Sequence, residues 1–449
     1  MDKKIFLKKL LTLSIPIIIQ QFIQAALNLV DTVMIGRLGS EEIAAVGIAN
    51  QVFFFVMMII FGINSGVSVY IAQFFGRRDH KNIKKTMGVS LVSGGAVGII
   101  FCFIAVSFPK QLMGLFIDNE HVIELGVSYL KIVGFSYLFM SISLSFHVAS
   151  RGIGKTLVPM LVTAVALSVN TLLNYALIFG NFGLPELGVE GAAIATLIAR
   201  IVEFLLMMAI IYGSHSLLAA RIKDLLAFDL SFFIKIFEKA GPVLLNEIFW
   251  SLGTIVYMWS IGQINADAVA SYQITLSAYR FYEVAFIGFS SAASVMIGNS
   301  IGAGKEDLAR LYAKEISRKS VLFSLLMSLL MFVLAPYILK LYNVSDVVMS
   351  DSLKLFYVYC FYGLFRMYNL MKIVGIFRGG GDTKFAMLTE MGSVWLVGVP
   401  LAILGSVVLK LSVVYVVWML STEEVVKVII CHRRFKSEKW LHNLIHEIN

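Results

Sequence analysis

Long apolar runs alternate along the chain with short charged or Gly/Pro-rich breaks. Twelve runs stand out, at about 14–36, 43–75, 86–107, 122–147, 157–180, 189–213, 240–263, 268–301, 315–339, 350–376, 384–408 and 411–430. A helix that spans a bilayer takes about 20 apolar residues, so each run predicts one crossing and the whole an all-α membrane protein. The charged head and apolar run of Met1 to Gln20 look like a signal peptide. The run continues past Val30 without a small-residue cleavage site, so it reads as a retained span.

The chain also repeats itself. At an offset of 226, Pro16 matches Pro242, Gly36 matches Gly262, Ser65 matches Ser291, Val69 matches Val295 and Gly76 matches Gly302. At 227, the loop Arg151-Gly-Ile-Gly-Lys-Thr156 matches Arg378-Gly-Gly-Gly-Asp-Thr383. A near-constant shift over so long a stretch marks duplication. Each half holds six spans, an even number, so the two enter the membrane in the same direction as a parallel repeat. The expected organisation is a six-helix lobe over 1–213, a connection at 214–239, a second six-helix lobe over 240–430 and a cytoplasmic tail at 431–449. Two such bundles with a cavity at their interface, rocking to open it to alternate sides, make a transporter.

Composition agrees and excludes several classes. Apolar residues make up 59% and charged residues 14% of the 449, against roughly 45–50% and about 25% in soluble domains. The net charge of +9 comes from 37 Lys and Arg, spread over many short loops instead of one basic face, which argues against nucleic acid. Most of them fall in one alternate set of connections, including the N-terminus, 77–85, 221–239, 305–319 and the tail. Positive charge is retained in the cytoplasm during insertion, so both termini are expected there, in a multi-pass protein of the cell membrane. Cys102, Cys360 and Cys431 are far apart, without metal or redox spacing. The Gly-rich loops lack a phosphate-binding pattern. Of seven histidines only His147 lies in a span, so neither a metal site nor a catalytic constellation is expected, and no cofactor.

Polar residues inside the runs then carry the functional reading. Gln20, Gln24, Asn28 and Asp31 fall on one helical face of the first run. A carboxylate in a span costs about 2.5–3.5 kcal/mol on insertion scales, so it should face water, a partner or a cation. Offset by 226, the stripe becomes Asn246, Trp250, Thr254 and Tyr257, preserved in kind but without its carboxylate. An ion site built on Asp31 is therefore expected in the first half only. Asn174 and Thr196 lie at the same depth as Asp31, about 8–10 Å below the outer surface by helix rise, and Asn170 one turn deeper on the face of Asn174. One carboxylate with amide and hydroxyl oxygens suits a hard monovalent cation such as Na⁺, or a proton on the carboxylate.

Val30-Asp-Thr-Val-Met-Ile-Gly-Arg-Leu-Gly39, Asn170-x-x-x-Asn174, Gly191-Ala-Ala-Ile-Ala-Thr196 and the paired Arg-Gly-x-Gly-x-Thr loops resemble the multidrug and toxic compound extrusion family, over nearly the whole chain. The resemblance implies twelve helices in two lobes and export of organic, often cationic, small molecules in exchange for Na⁺ or H⁺. It also implies a cation site at Asp31, Asn170, Asn174 and Thr196. Archaeal relatives carry Asp where Asn174 stands, and many members have a seventh-span Glu where this chain has Trp250. A monomer is expected.

Glu247, seven residues into its span, is a candidate for attracting a cationic substrate, with Trp250 and Tyr257 as cation–π surfaces, or for a solvated or paired role. Arg200 with Glu203 and Arg280 with Glu283 are spaced for neutralisation within one helix, while Lys131, Arg366 and Lys372 tie helices together or snorkel. The rival readings are a flippase or exporter of lipid-linked oligosaccharide and, more remotely, a membrane-embedded enzyme.

Overall fold

In the computed structural model, which describes residues 3–340, 342 and 344–445, helices occupy nearly the whole chain, and among the described residues the one β-bridge is Gly381 to Leu441. Twelve long helices follow one another. They are α1 (Lys3–Gly36), α2 (Ser40–Arg77), α3 (His80–Ser107), α4 (Glu120–Val133 and Ser136–Gly152), α5 (Leu157–Phe179), α6 (Gly188–Gly213), α7 (Leu230–Gly262), α8 (Ala266–Gly302), α9 (Glu306–Leu339), α10 (Asp346–Leu370), α11 (Thr383–Ser393, carried on to Val408) and α12 (Val413–Lys436). α4 bends by 49° between its two parts, at Gly134, where a continuous run was expected. α10 passes into a π-helix over Met371–Arg378, and α11 contains two further π-turns.

Local chemistry sets the helix starts. Asp79, Asn119, Asn265 and Ser345 each accept a backbone N–H with the side chain at the N-cap, satisfying donors that the first turn leaves orphaned. By length and apolar character eight helices can cross a membrane, and nine when the bent α4 is taken as one span. α7, α10 and α12 are more polar, for reasons that become clear at the site.

The chain forms two compact units, Ile19–Ala240 and the described part of Met1–Ile18 with Gly241–Asn449. The halves differ from the expected boundaries in two places. The connection at 214–239 is built into the first unit: Leu225 backbone lies against Gly88, where no side chain would fit, and the Tyr70 hydroxyl donates to the Lys235 carbonyl at 2.9 Å. The start of α1 groups with the second unit, where Phe6 packs on Tyr312 at 5.6 Å and Gly288 lets the α1 backbone at Ser14 and Ile18 approach closely.

The tail, expected to trail into the cytoplasm, is docked as far as it is described; 446–449 lie outside the described residues. Phe435 stacks on Trp440 with ring centres 6.2 Å apart, the His442 backbone N–H donates to Gly380 O at 2.8 Å, and Arg434 Nε donates to Asp382 Oδ2 at 2.8 Å. Gly381 turns here at φ +88°, open to glycine at no steric cost. Burial alone would raise the Asp382 pKa, but hydrogen bonds from His442 and Arg434, and their charges, hold it below the ordinary carboxylate value. A carboxylate depressed in the folded state stabilises fully above its unfolded pKa, and that contribution is lost as pH falls through the folded one. Docking of the tail is thus expected to hold at neutral pH and weaken below about pH 4. Asp382→Asn should loosen it at neutral pH, read as several-fold faster tryptic cleavage at Arg433 and Arg434.

Candidate cation site

Asp31 sits on the outer half of α1, partly buried, and faces α5 and α6. Asn174 Nδ2 donates to Asp31 Oδ1 at 2.9 Å. With its amide nitrogen toward the carboxylate, Asn170 donates to Asp31 Oδ2 at 2.8 Å and its oxygen accepts from the Thr196 backbone N–H at 3.3 Å. Both carboxylate oxygens are therefore held by side-chain amides, an arrangement that stabilises the ionised form. The Thr196 hydroxyl donates to Ala192 O at 2.9 Å, which leaves its lone pairs toward the cluster. The Asn174 carbonyl oxygen is buried and accepts no hydrogen bond. An acceptor left over beside a carboxylate is what a hard cation would satisfy. The four residues selected by depth and helical face thus lie together.

The close approach of α5 and α6 is set by Gly191, where a Cβ would come 2.5 Å from the Leu177 carbonyl. Small residues at such crossings let backbones meet and bring polar side chains across. Beneath the site runs a second polar set. Gln20 Nε2 donates to Thr163 Oγ1 at 2.8 Å, Arg151 donates to Gln20 Oε1 at 2.7 Å, and Arg200 pairs with Glu203 at 2.7 Å, as its spacing foretold. His147 Nε2 lies 3.8 Å from the same Glu203.

The remaining stripe residues separate. Gln20 is buried in that network, Gln24 is partly buried, and Asn28 is exposed. In α7, Asn246 is buried with its carbonyl oxygen unpartnered, Trp250 is partly buried against the core of its unit, and the Thr254 hydroxyl donates to its own helix at Ser251 O. Glu247 is the paired residue of the two readings: Arg378 NH2 lies 2.8 Å from its Oε1, and both side chains are buried. The repeat is visible in this contact, since Arg151 reaches Gln20 in the first unit as Arg378 reaches Glu247 in the second. Removing one partner of a buried pair costs about 3–5 kcal/mol. Arg378→Ala should accordingly lower the thermal unfolding temperature of the detergent-purified protein by several degrees, and Arg378→Lys by less.

Two spacing-based pairings fail. Glu283 bonds Arg366 of α10 at 2.8 Å instead of Arg280 on its own helix, because α8 and α10 pack against each other. Lys372 ties to no carboxylate and does not snorkel: its ammonium is buried 3.0 Å from the Phe435 ring centre, without a hydrogen-bond partner. Lys131 is exposed.

Sequence reasoning passed over the largest buried charge group, on α11 and α12. Lys427 Nζ is within 3.3 Å of Glu423 and of Glu424 and 3.5 Å of Glu390.

The MatE family model matches residues 16–176 and again 242–404, so the two matches follow the internal repeat and together cover most of the chain. The chain belongs to the MatE family. Members are membrane transporters, and this MatE chain is one, not an enzyme. The probable multidrug resistance protein YoeA of Bacillus subtilis is 26% identical over 407 residues, 89% of this chain and 87% of its own length. The probable multidrug resistance protein NorM of Thermotoga maritima is 26% identical over 398 residues, 88% of this chain and 84% of its own. The solved Vibrio cholerae MATE transporter VcmN has a TM-score of 0.88 at 18% identity, covering 97% of this chain and 98% of that one. That likeness carries the fold, twelve helices in two six-helix lobes.

Proposed function

We propose that this MatE transporter exports organic, cationic or amphipathic small molecules from the cell, driven by a cation that enters from outside and binds at Asp31. The names of its relatives, multidrug resistance proteins, support the substrate class. The observation that carries the coupling site is the Asp31 carboxylate, held by two amides, with the buried Asn174 oxygen left without a donor beside it. That oxygen favours Na⁺ over H⁺. A proton on Asp31 would meet the carboxylate alone, whereas Na⁺ draws on several oxygens at once. Cation binding at Asp31 favours release of substrate outside, and rocking of the repeat-related halves then returns the transporter inward. Both termini lie in the cytoplasm in this reading, as the distribution of Lys and Arg requires. Export of lipid-linked oligosaccharide is disfavoured because the two polar stripes contain no Lys or Arg with which to hold a diphosphate.

The test is efflux of a fluorescent organic cation from proteoliposomes at a fixed pH gradient, with external Na⁺ replaced by K⁺. Na⁺ coupling predicts loss of efflux on replacement. Efflux that follows the pH gradient regardless of Na⁺ assigns the coupling to H⁺, and efflux indifferent to both gradients removes the antiport reading.

A further inference from the structure

The repeat maps the Asp31 site onto the second unit. An offset of 226 takes Asp31 to Tyr257, and 227 takes Thr196 to Glu423 and Arg200 to Lys427. These mapped residues meet. The Tyr257 hydroxyl donates to Glu423 Oε2 at 2.7 Å, and Lys427 Nζ lies 3.3 Å from Glu423 Oε1. The second half therefore keeps a carboxylate at the equivalent place, carried on its last helix, α12, instead of its first, α7. Gly398 of α11 makes room for it, since any side chain there would strike the Tyr257 hydroxyl and Glu423.

The surroundings are acidic in excess. Glu424 and Glu390 join Glu423 around the single ammonium of Lys427. Glu283 of α8 pairs with Arg366 of α10, whose charge also acts on Glu424. Tyr272 and Tyr279 of α8 and Cys431 of α12 complete the titratable groups facing the cluster. Fully ionised, Glu283, Glu390, Glu423 and Glu424 oppose only Arg366 and Lys427, which leaves two negative charges over. Burial does not tolerate such an excess without a counter-ion or a proton. A second observation points to the proton. Asn369, 2% exposed, donates to Glu424 Oε2 at 2.7 Å, while its own carbonyl oxygen is buried without a partner, an acceptor for a carboxyl O–H. Among the described residues no group of His, Cys, Asp and Glu is arranged to hold a metal ion, and these carboxylates converge on an ammonium.

We propose that Glu423, Glu424 and Glu390 around Lys427 form a second cation site of this transporter, one that binds an exchangeable proton independently of Asp31. Glu390, with a side chain 18% exposed against 7% and 8% for Glu423 and Glu424, is the port through which the proton enters and leaves.

Infrared difference spectra of the full-length purified protein, acid minus alkaline, test this in an Asp31→Asn background, so that failure of the Asp31 reading leaves the result unaffected. A protonated-carboxyl band is expected to persist in Asp31→Asn, to vanish in Asp31→Asn with Glu423→Gln, and to shift with Tyr257→Phe, which removes the hydroxyl but keeps the ring. Should Glu423→Gln fail to fold, Tyr257→Phe and Glu390→Gln carry the test. Absence of a titrating carboxyl band in Asp31→Asn, or a band that none of these substitutions moves, overturns the proposal.

Discussion

Asp31→Asn is expected to reduce ion-driven efflux at least about tenfold, to the level of passive leak, while the protein remains folded and inserted. Asparagine keeps the size of the side chain and accepts hydrogen bonds through one oxygen. It removes the charge and presents an N–H pair where Asn170 or Asn174 already donates. A tenfold loss corresponds to about 1.4 kcal/mol of cation binding, less than a single charge in a weakly solvated site is expected to contribute. Asn174→Leu should give a similar but smaller loss, because the carboxylate stays and only the unpartnered oxygen and one donor go. Both are read by fluorescent-cation efflux from energised vesicles, with protein content matched. Efflux of Asp31→Asn at the unmodified rate would leave the coupling assignment without support.

Lys427→Met is expected to cost about 3–5 kcal/mol of stability, the usual penalty for stranding buried charges by removing their partner. Methionine approximates the length and volume of the Lys stem, so the loss reports charge more than packing. Three carboxylates within 3.5 Å of the missing ammonium would then repel one another. The deficit should therefore be largest at alkaline pH and shrink on acidification, as protonation relieves the repulsion. Thermal unfolding in detergent across pH measures it, and a variant as stable as the parent at alkaline pH would show that the cluster is not ionised as described. A double variant, Lys427→Met with Glu423→Gln, should recover part of the loss.

Much of this architecture is legible in the chain, since hydrophobic length fixes helices in a bilayer more strictly than in water: every backbone polar group must be met within its own segment. The repeat offset doubled that information. At the site, Asp31 is conspicuous because a lone carboxylate in an apolar run demands a reason, and Asn170, Asn174 and Thr196 follow from depth. What stays hidden is pairing across the sequence. Glu247 finds Arg378 131 positions away, and Glu283 finds Arg366 instead of the Arg280 at helical spacing; neither choice is encoded locally. Glu423, Glu424 and Lys427 were within reach. Carrying Thr196 and Arg200 forward by 227 lands on Glu423 and Lys427, but asking only where the Asp31 stripe goes leads to α7 and to the conclusion that the second half lacks a carboxylate. The duplicated halves kept the place and moved the charge to another helix.

Equilibrium binding of radioactive sodium to the purified transporter at fixed pH addresses the central claim most directly. The unmodified protein should bind Na⁺ saturably, Asn174→Leu more weakly and Asp31→Asn not at all, with Lys427→Met in a folded preparation retaining the binding. Sodium binding by Asp31→Asn equal to that of the unmodified protein would contradict the account.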